Sequence, residues 1–117
     1  MSLRFTDSMK KNYEFQRLYS KGKSAVTPFL VVYGRQTRRD RSHVGFTVST
    51  KLGKAVVRNR VRRRLREIYR LNEGALRPGA DIVVVARARA VTAPYAQLER
   101  AFLSACGKLG LLREAET

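Results

Sequence analysis

Through the middle of the chain, apolar side chains return every three or four positions, and most of the residues between them are cationic. In KLGKAVVRNRVRRRLREIYR, Lys51 to Arg70, the side chains of Val57, Val61, Leu65 and Ile68 fall within a roughly 80° arc at about 100° per residue, the stripe of a helix docked on a core. The Lys51-Leu52-Gly53 turn leads into this helix, which ends near Gly74 or Pro78. Upstream, Phe15, Leu18 and Tyr19 mark one face of a shorter helix from Tyr13 to about Lys21, with Asn12 as N-cap and Gly22 just past its end. FLVVYGR (Phe29–Arg35) and HVGFTVS (His43–Ser49) have strand composition, and QTRRDR between them reads as a basic hairpin loop joining an antiparallel pair. DIVVVAR, Asp81–Arg87, is apolar on both faces and belongs at the centre of a sheet. Tyr95, Leu98, Phe102, Cys106 and Leu109 form the stripe of a last helix opened by Pro94.

The element order is thus α-β-β-α-β-α, with no repeat or linker, which predicts one α+β sandwich domain over residues 1–117 with its sheet packed by helices. Residues 1–11 are expected to be loosely ordered and 111–117 to form a C-terminal tail. A chain of 117 residues buries one core without disulfides or metal. Cys106 is the single cysteine and lies in an apolar helical run, so a buried thiol is expected and no disulfide-linked partner. No apolar stretch approaches a membrane span, and MSLRFTDSMKK lacks a signal-peptide core, which points to a cytoplasmic protein with no membrane partner.

Charge changes the picture most. The chain has 25 Lys and Arg against nine Asp and Glu, a formal +16, and the Lys51–Arg70 window carries +8 of it with Glu67 as its single acid. Asn59, Arg62, Arg63, Arg66 and Arg70 lie opposite the apolar stripe. A solvated helix face usually alternates its signs, whereas here Arg58 and Arg62, Arg62 and Arg66, and Arg66 and Arg70 are like-charge i,i+4 neighbours. Each costs ~0.2–0.5 kcal/mol in the free protein, a cost that a bound polyanion relieves. Seven of the nine cations are arginine, whose planar fork pairs bidentately with phosphate, so the face is read as a nucleic-acid contact. Arg60 and Arg64 project nearer the apolar arc, where they snorkel along the core rim. His43 is the one histidine, on a strand, and no Ser/His/Asp set, Cys/His set or carboxylate pair assembles from the remaining residues. Catalysis by this chain alone is therefore not expected, and a stand-alone basic nuclease is disfavoured. An RNA-structural protein such as a ribosomal component fits the charge and size equally well.

The run from Ser49 to Glu67, STKLGKAVVRNRVRRRLRE, resembles the signature of the bacterial ribonuclease P protein subunit, including its Arg-Asn-Arg element at Arg58-Asn59-Arg60. The resemblance extends through Lys10-Lys11-Asn12, Glu14-Phe15 and Leu18-Tyr19 upstream and Asp81 to Arg87 downstream. Arg62 stands where the family often has lysine and Tyr19 where phenylalanine is common. The resemblance implies a small protein that assembles with a large catalytic RNA and assists cleavage of precursor tRNA at its mature 5′ end. It implies that the RNA and its bound Mg2+ carry the hydrolysis, and that the fold contains a left-handed β-α-β crossover. Carried over position by position, it assigns Lys51, Lys54, Arg58, Asn59, Arg60, Arg62, Arg63, Arg66 and Arg70 to the catalytic RNA. It assigns Phe15, Tyr19, Tyr33, Arg35 and Arg87 to the 5′ leader of the substrate. From the residues alone Phe15 and Leu18 read as core, Tyr33 as a half-buried strand tyrosine, and Arg35 and Arg87 as solvated strand ends.

Overall fold

The structure, a computed structural model, describes residues 6–113. Eight main elements follow in order: β1 (Thr6–Ser8), α1 (Asn12–Lys21), β2 (Lys23–Val26), β3 (Leu30–Gln36), β4 (Ser42–Thr47), α2 (Ala55–Asn72), β5 (Ala80–Ala86) and α3 (Tyr95–Lys108). The strands form one sheet in the order β1-β4-β5-β3-β2, confirming the α+β sandwich. β5 is central because its residues are apolar on both faces, and Ile82, Val83 and Val84 are all buried. It runs parallel to β4 and antiparallel to β3. α2 connects the parallel neighbours β4 and β5, and it packs with α3 on one face of the sheet. α1 covers part of the other face over Val83, with Met9 and Leu18 buried beneath it.

Four expectations are corrected. β3 and β4 do not form a hairpin pair, because β5 lies between them. Placing β5 there lets both its neighbours satisfy its backbone and both faces bury its side chains. The gap to bridge is two strand spacings, about 9–10 Å, well within reach of the connecting residues 37–41. That segment is pinned where it passes the start of β5: the Thr37 N–H donates to the Gly79 carbonyl at 2.8 Å. Gly79 has φ 77°, and a Cβ there would lie 2.1 Å from the Arg39 carbonyl oxygen, so only glycine fits.

Secondly, residues 6–11 are not loose: β1 pairs in parallel with β4, and the Met9 N–H donates to the Val44 carbonyl at 2.8 Å. The Arg41 guanidinium grips Asp7 through two contacts of 3.0 and 3.1 Å and holds its carboxyl below the ordinary range. Residues 1–5 lie outside the described residues. Thirdly, Leu111 is buried and its carbonyl accepts the Arg77 N–H at 2.7 Å, so the predicted tail is tied down at least to Arg113. Residues 114–117 lie outside the described residues. Fourthly, Lys11 occupies the N-cap of α1 without a side-chain hydrogen bond, and Asn12 is already helical.

Cys106 is buried, and burial pushes its thiol up to about 12. The native protein at pH 8 should react with a thiol reagent at least ~100-fold more slowly than the unfolded chain, measured by absorbance of the released chromophore. Among the described residues, no helix is long and apolar enough to cross a membrane.

Candidate nucleic-acid interface

The basic helix is launched by a sharp change of direction. Ser49 caps a 3-10 turn at Thr50–Leu52, its Oγ accepting the Lys51 N–H at 3.2 Å. Gly53 then takes φ 144°, which disfavours a side chain, and a Cβ there would lie 3.3 Å from Val57. α2 follows at once, its N-cap Lys54 making no side-chain hydrogen bond and its first turn holding no acid. The positive end of the helix dipole therefore lies uncompensated beside Lys51 and Lys54.

Val61, Leu65, Ile68 and Tyr69 bury the inner side of α2. Lys51, Lys54, Asn59, Arg60, Arg63 and Arg66 are exposed, and Val56, 80% exposed, sits among them. The side chains of Lys51, Lys54, Arg60, Arg63 and Arg66 have no hydrogen bond or ion pair among the described residues. Three other predicted contacts are engaged within the chain. Arg58 Nε donates to the Gly53 carbonyl at 3.1 Å, bracing the helix entrance, and Arg62 donates to Asn59 Oδ1 at 3.1 Å. Arg70 forks onto Glu67 with contacts of 2.5 and 3.2 Å, a pairing that lowers the carboxyl's affinity for protons. Arg64 donates to the Ala93 carbonyl at 2.5 Å, so its role is to tie α2 to the start of α3.

The Glu67 contact has a measurable consequence. Glu67→Gln removes the one acid of the basic face and releases Arg70, so the salt dependence of RNA binding should steepen by about 0.7–0.9 units of log K per log salt, the value of one phosphate contact. Filter binding across a salt series measures it, and an unchanged slope would remove Arg70 from the interface.

On the α1 side of the sheet, alternate residues of three strands line up in lateral rows. Val31, Val85 and Thr47 form one row, Tyr33, Val83 and Gly45 the next, and Arg35, Asp81 and His43 the third. Phe15 lies over the middle row: a Cβ on Gly45 would stand 2.5 Å from its ring, so the glycine is what lets α1 approach. Tyr19 reaches the first row, sharing a 3.1 Å hydrogen bond between its hydroxyl and Thr47 Oγ1. Its ring meets Tyr33 edge to face, with centroids 4.9 Å apart and planes at 72°. Phe15, Tyr19 and Tyr33 are each half-buried, so they are neither pure core nor free surface. Arg35 is exposed on the same face as Tyr33. Arg87 does not join them freely, since its guanidinium donates to the Thr27 carbonyl at 2.9 Å across the start of β3.

Sequence reasoning did not find Tyr13 and Arg17 on α1, or the convergence of Arg39, His43 and Asp81 beside Arg35. Tyr13 is 55% exposed with Lys11 and Arg17 both within 6 Å of its ring centre, at 5.9 and 5.7 Å. An aromatic residue with an arginine four positions on, at helical spacing, was a signal available in the sequence. His43 and Asp81 are brought together by strand register and Arg39 by the path of the 37–41 connection, which no local pattern encodes.

The family model "Ribonuclease P" matches residues 3–110. The ribonuclease P protein component of Alkaliphilus oremlandii is 41% identical over 107 residues, covering 92% of this chain and 94% of the relative. That of Clostridioides difficile is 41% identical over 101 residues, covering 86% and 89%. Among solved structures, the RNase P protein of Staphylococcus aureus superposes with a TM-score of 0.81 at 32% identity, covering 91% of this chain and 97% of that one. The RNase P protein of Thermotoga maritima gives 0.76 at 30% identity, covering 84% and 93%. A basic helix raised on a sheet, an aromatic groove beside it and a match along almost the whole chain agree: the chain belongs to the ribonuclease P protein family.

Proposed function

We propose that this chain, the protein component of a ribonuclease P holoenzyme in tRNA 5′ maturation, binds RNA through two surfaces at once. The exposed face of α2 holds the catalytic RNA, and the groove between α1 and the sheet holds the single-stranded 5′ leader of precursor tRNA. The observation that carries this reading is the short connection along the chain between one end of the groove and the basic helix. Thr47, which anchors Tyr19 at one end of the groove, is four residues before Lys51 in the 3-10 turn that leads into the basic helix. A leader leaving a catalytic RNA docked at the start of α2 has the Thr47 end of the groove as its near end, and the aromatic faces and Arg35 along the groove offer stacking and charge to a single strand.

The chain's own residues bind and orient. Arg63, Arg66, Arg60, Lys51 and Lys54 neutralise phosphates, and Asn59 supplies an amide that both donates and accepts beside them. Among the described residues, no three His, Cys, Asp or Glu side chains converge as metal ligands, so the chain offers no all-protein cage for Mg2+. In this reading Mg2+ belongs to the RNA.

Cleavage of a precursor tRNA by the protein alone, by the cognate RNA alone and by both together tests the assignment. The pair should exceed the RNA alone in kcat/KM for leadered substrate, and cleavage by the protein alone would overturn it. The face should also take small anions. Sulfate at ten times its Kd should stabilise the free protein by about 1.4 kcal/mol through preferential binding to the native state. A thermal melt shows this as a rise of several degrees, and a melting temperature indifferent to sulfate would count against a preformed anion face.

A further inference from the structure

The groove continues past the aromatic rings. Its third row closes with the first turns of α1 into a pocket of about 130 Å³. For scale, an engineered cavity of about 150 Å³ holds benzene, so one flat ring is the right size of occupant for a pocket open at one side. The walls are firm, since the 37–41 segment is held against Gly79 by the Thr37 contacts, and α1 is held on the sheet by Leu18.

The polar groups at the pocket are of both kinds. Asp81 Oδ1 takes an N–H from Arg39 at 2.5 Å and stands 3.7 Å from His43 Nδ1. His43 Nδ1 is itself buried with no hydrogen-bond partner among the described residues. Glu14 contributes a second carboxylate, which accepts the Lys10 N–H at 3.2 Å. Arg35 and Arg17 supply guanidinium donors, and Tyr13 presents its exposed ring at the rim. A phosphate offers only acceptors, which suit Arg17 and Arg35 but leave the acceptors Glu14 and Asp81 on the same walls unmatched. A nucleobase edge offers donors and acceptors side by side, and its face stacks on tyrosine or guanidinium. The mixed lining therefore favours a base over a phosphate.

Location gives the base its source. Arg35 follows Tyr33 by two residues on β3, about 6.6 Å further along the groove and away from the end of β4 that leads to the start of α2. We propose that this pocket receives one unstacked nucleobase of the leader, beyond those at the Tyr19 and Tyr33 rings. The proposal rests on the groove being the leader site, and the test separates the two.

The holoenzyme, assembled with its cognate RNA, is titrated with precursor tRNAs carrying a single abasic nucleotide at successive leader positions. Each is compared among the parent protein, Tyr13→Ala and Asp81→Asn. Tyr13 is exposed, so its replacement spares the core and remains informative where Asp81→Asn disturbs the fold. The expected result is one position, farther from the cleavage site than any position sensitive to Tyr33→Ala, where loss of the base weakens parent binding about tenfold. That penalty should shrink to under about twofold in both variants. A penalty undiminished in Tyr13→Ala, or no such distal position, would overturn the pocket while leaving the aromatic groove intact. A methylphosphonate that costs as much as the abasic change at that position would make it a phosphate site instead. Equal binding of leadered and leaderless RNA by the parent would overturn the groove and the pocket together.

Discussion

Replacing Arg63 and Arg66 together with alanine should flatten the salt dependence of binding to the catalytic RNA by about 1.4–1.8 units of log K against log salt. The two side chains are exposed and unengaged among the described residues, so each counts as a full phosphate contact at about 0.7–0.9 units. With about six contacts in the parent, raising salt from 50 to 200 mM lowers affinity roughly 300- to 2,000-fold; with four it lowers affinity roughly 50- to 150-fold. The loss will not reflect unfolding. Arg66 has a like-charge neighbour at Arg62, and removing it relieves ~0.2–0.5 kcal/mol from that pair, while its other neighbour Arg70 is already paired with Glu67. The double variant should therefore melt no lower than the parent while binding RNA more weakly. Filter binding across the salt series, with a melt of the free protein, tests both halves. An unchanged slope would place the catalytic RNA on another surface.

The choice of Arg63 and Arg66 illustrates what the sequence alone did and did not disclose. The amphipathic pattern of α2 was legible because apolar spacing and charge segregation are local properties. So was β5, whose unbroken apolar run demands cover on both faces. Spacing sorts the nine cations of the window only by their angle to the apolar stripe, and the structure divides them further by their partners. Arg58 braces the helix entrance, Arg64 ties down the start of α3, and Arg70 is neutralised by Glu67. Local spacing permits an Arg70–Glu67 contact at i,i+3, but it cannot place the Ala93 carbonyl against Arg64.

Pairing across the sheet was the least legible part. β3 and β4 are neighbours in the chain, and the hairpin rule joins neighbours, yet burial of β5 on both faces outweighs that preference. β1 and β2 are three and four residues long and mostly polar, too short for alternation to show. Tyr69 lies outside the predicted apolar arc and is nevertheless buried, because β1 closes over it. Its hydroxyl shares a 2.9 Å hydrogen bond with Thr6, and its ring meets Phe46 and Phe102 edge to face. The aromatic groove was legible as residues but not as a surface. Phe15, Tyr19 and Tyr33 come together only because Gly45 lets α1 lie close to the sheet.

That groove supplies the second large effect. Tyr33→Ala should weaken holoenzyme binding of precursors with a long leader by up to ~1–3 kcal/mol, about 5- to 150-fold, if one base stacks on the ring. Mature tRNA has no leader and should bind as before. Tyr33→Phe keeps the ring face and should retain most of the affinity, which separates stacking from loss of the hydroxyl. Tyr19→Ala should act in the same direction, with the added loss of the Thr47 hydrogen bond and the edge contact to Tyr33. Phe15 is a poorer probe: it packs over Gly45 within the Met9, Leu18 and Val83 cluster, so truncating it also costs packing energy. Asn59→Ala lies on the α2 side and should impair assembly or cleavage to the same extent at every leader length. Kd values for leadered and leaderless RNA, taken with folding confirmed by circular dichroism, distinguish these patterns. Equal losses for both RNAs in Tyr33→Ala would show that the tyrosine serves the fold rather than the leader, and α2 would remain as the sole RNA-binding surface.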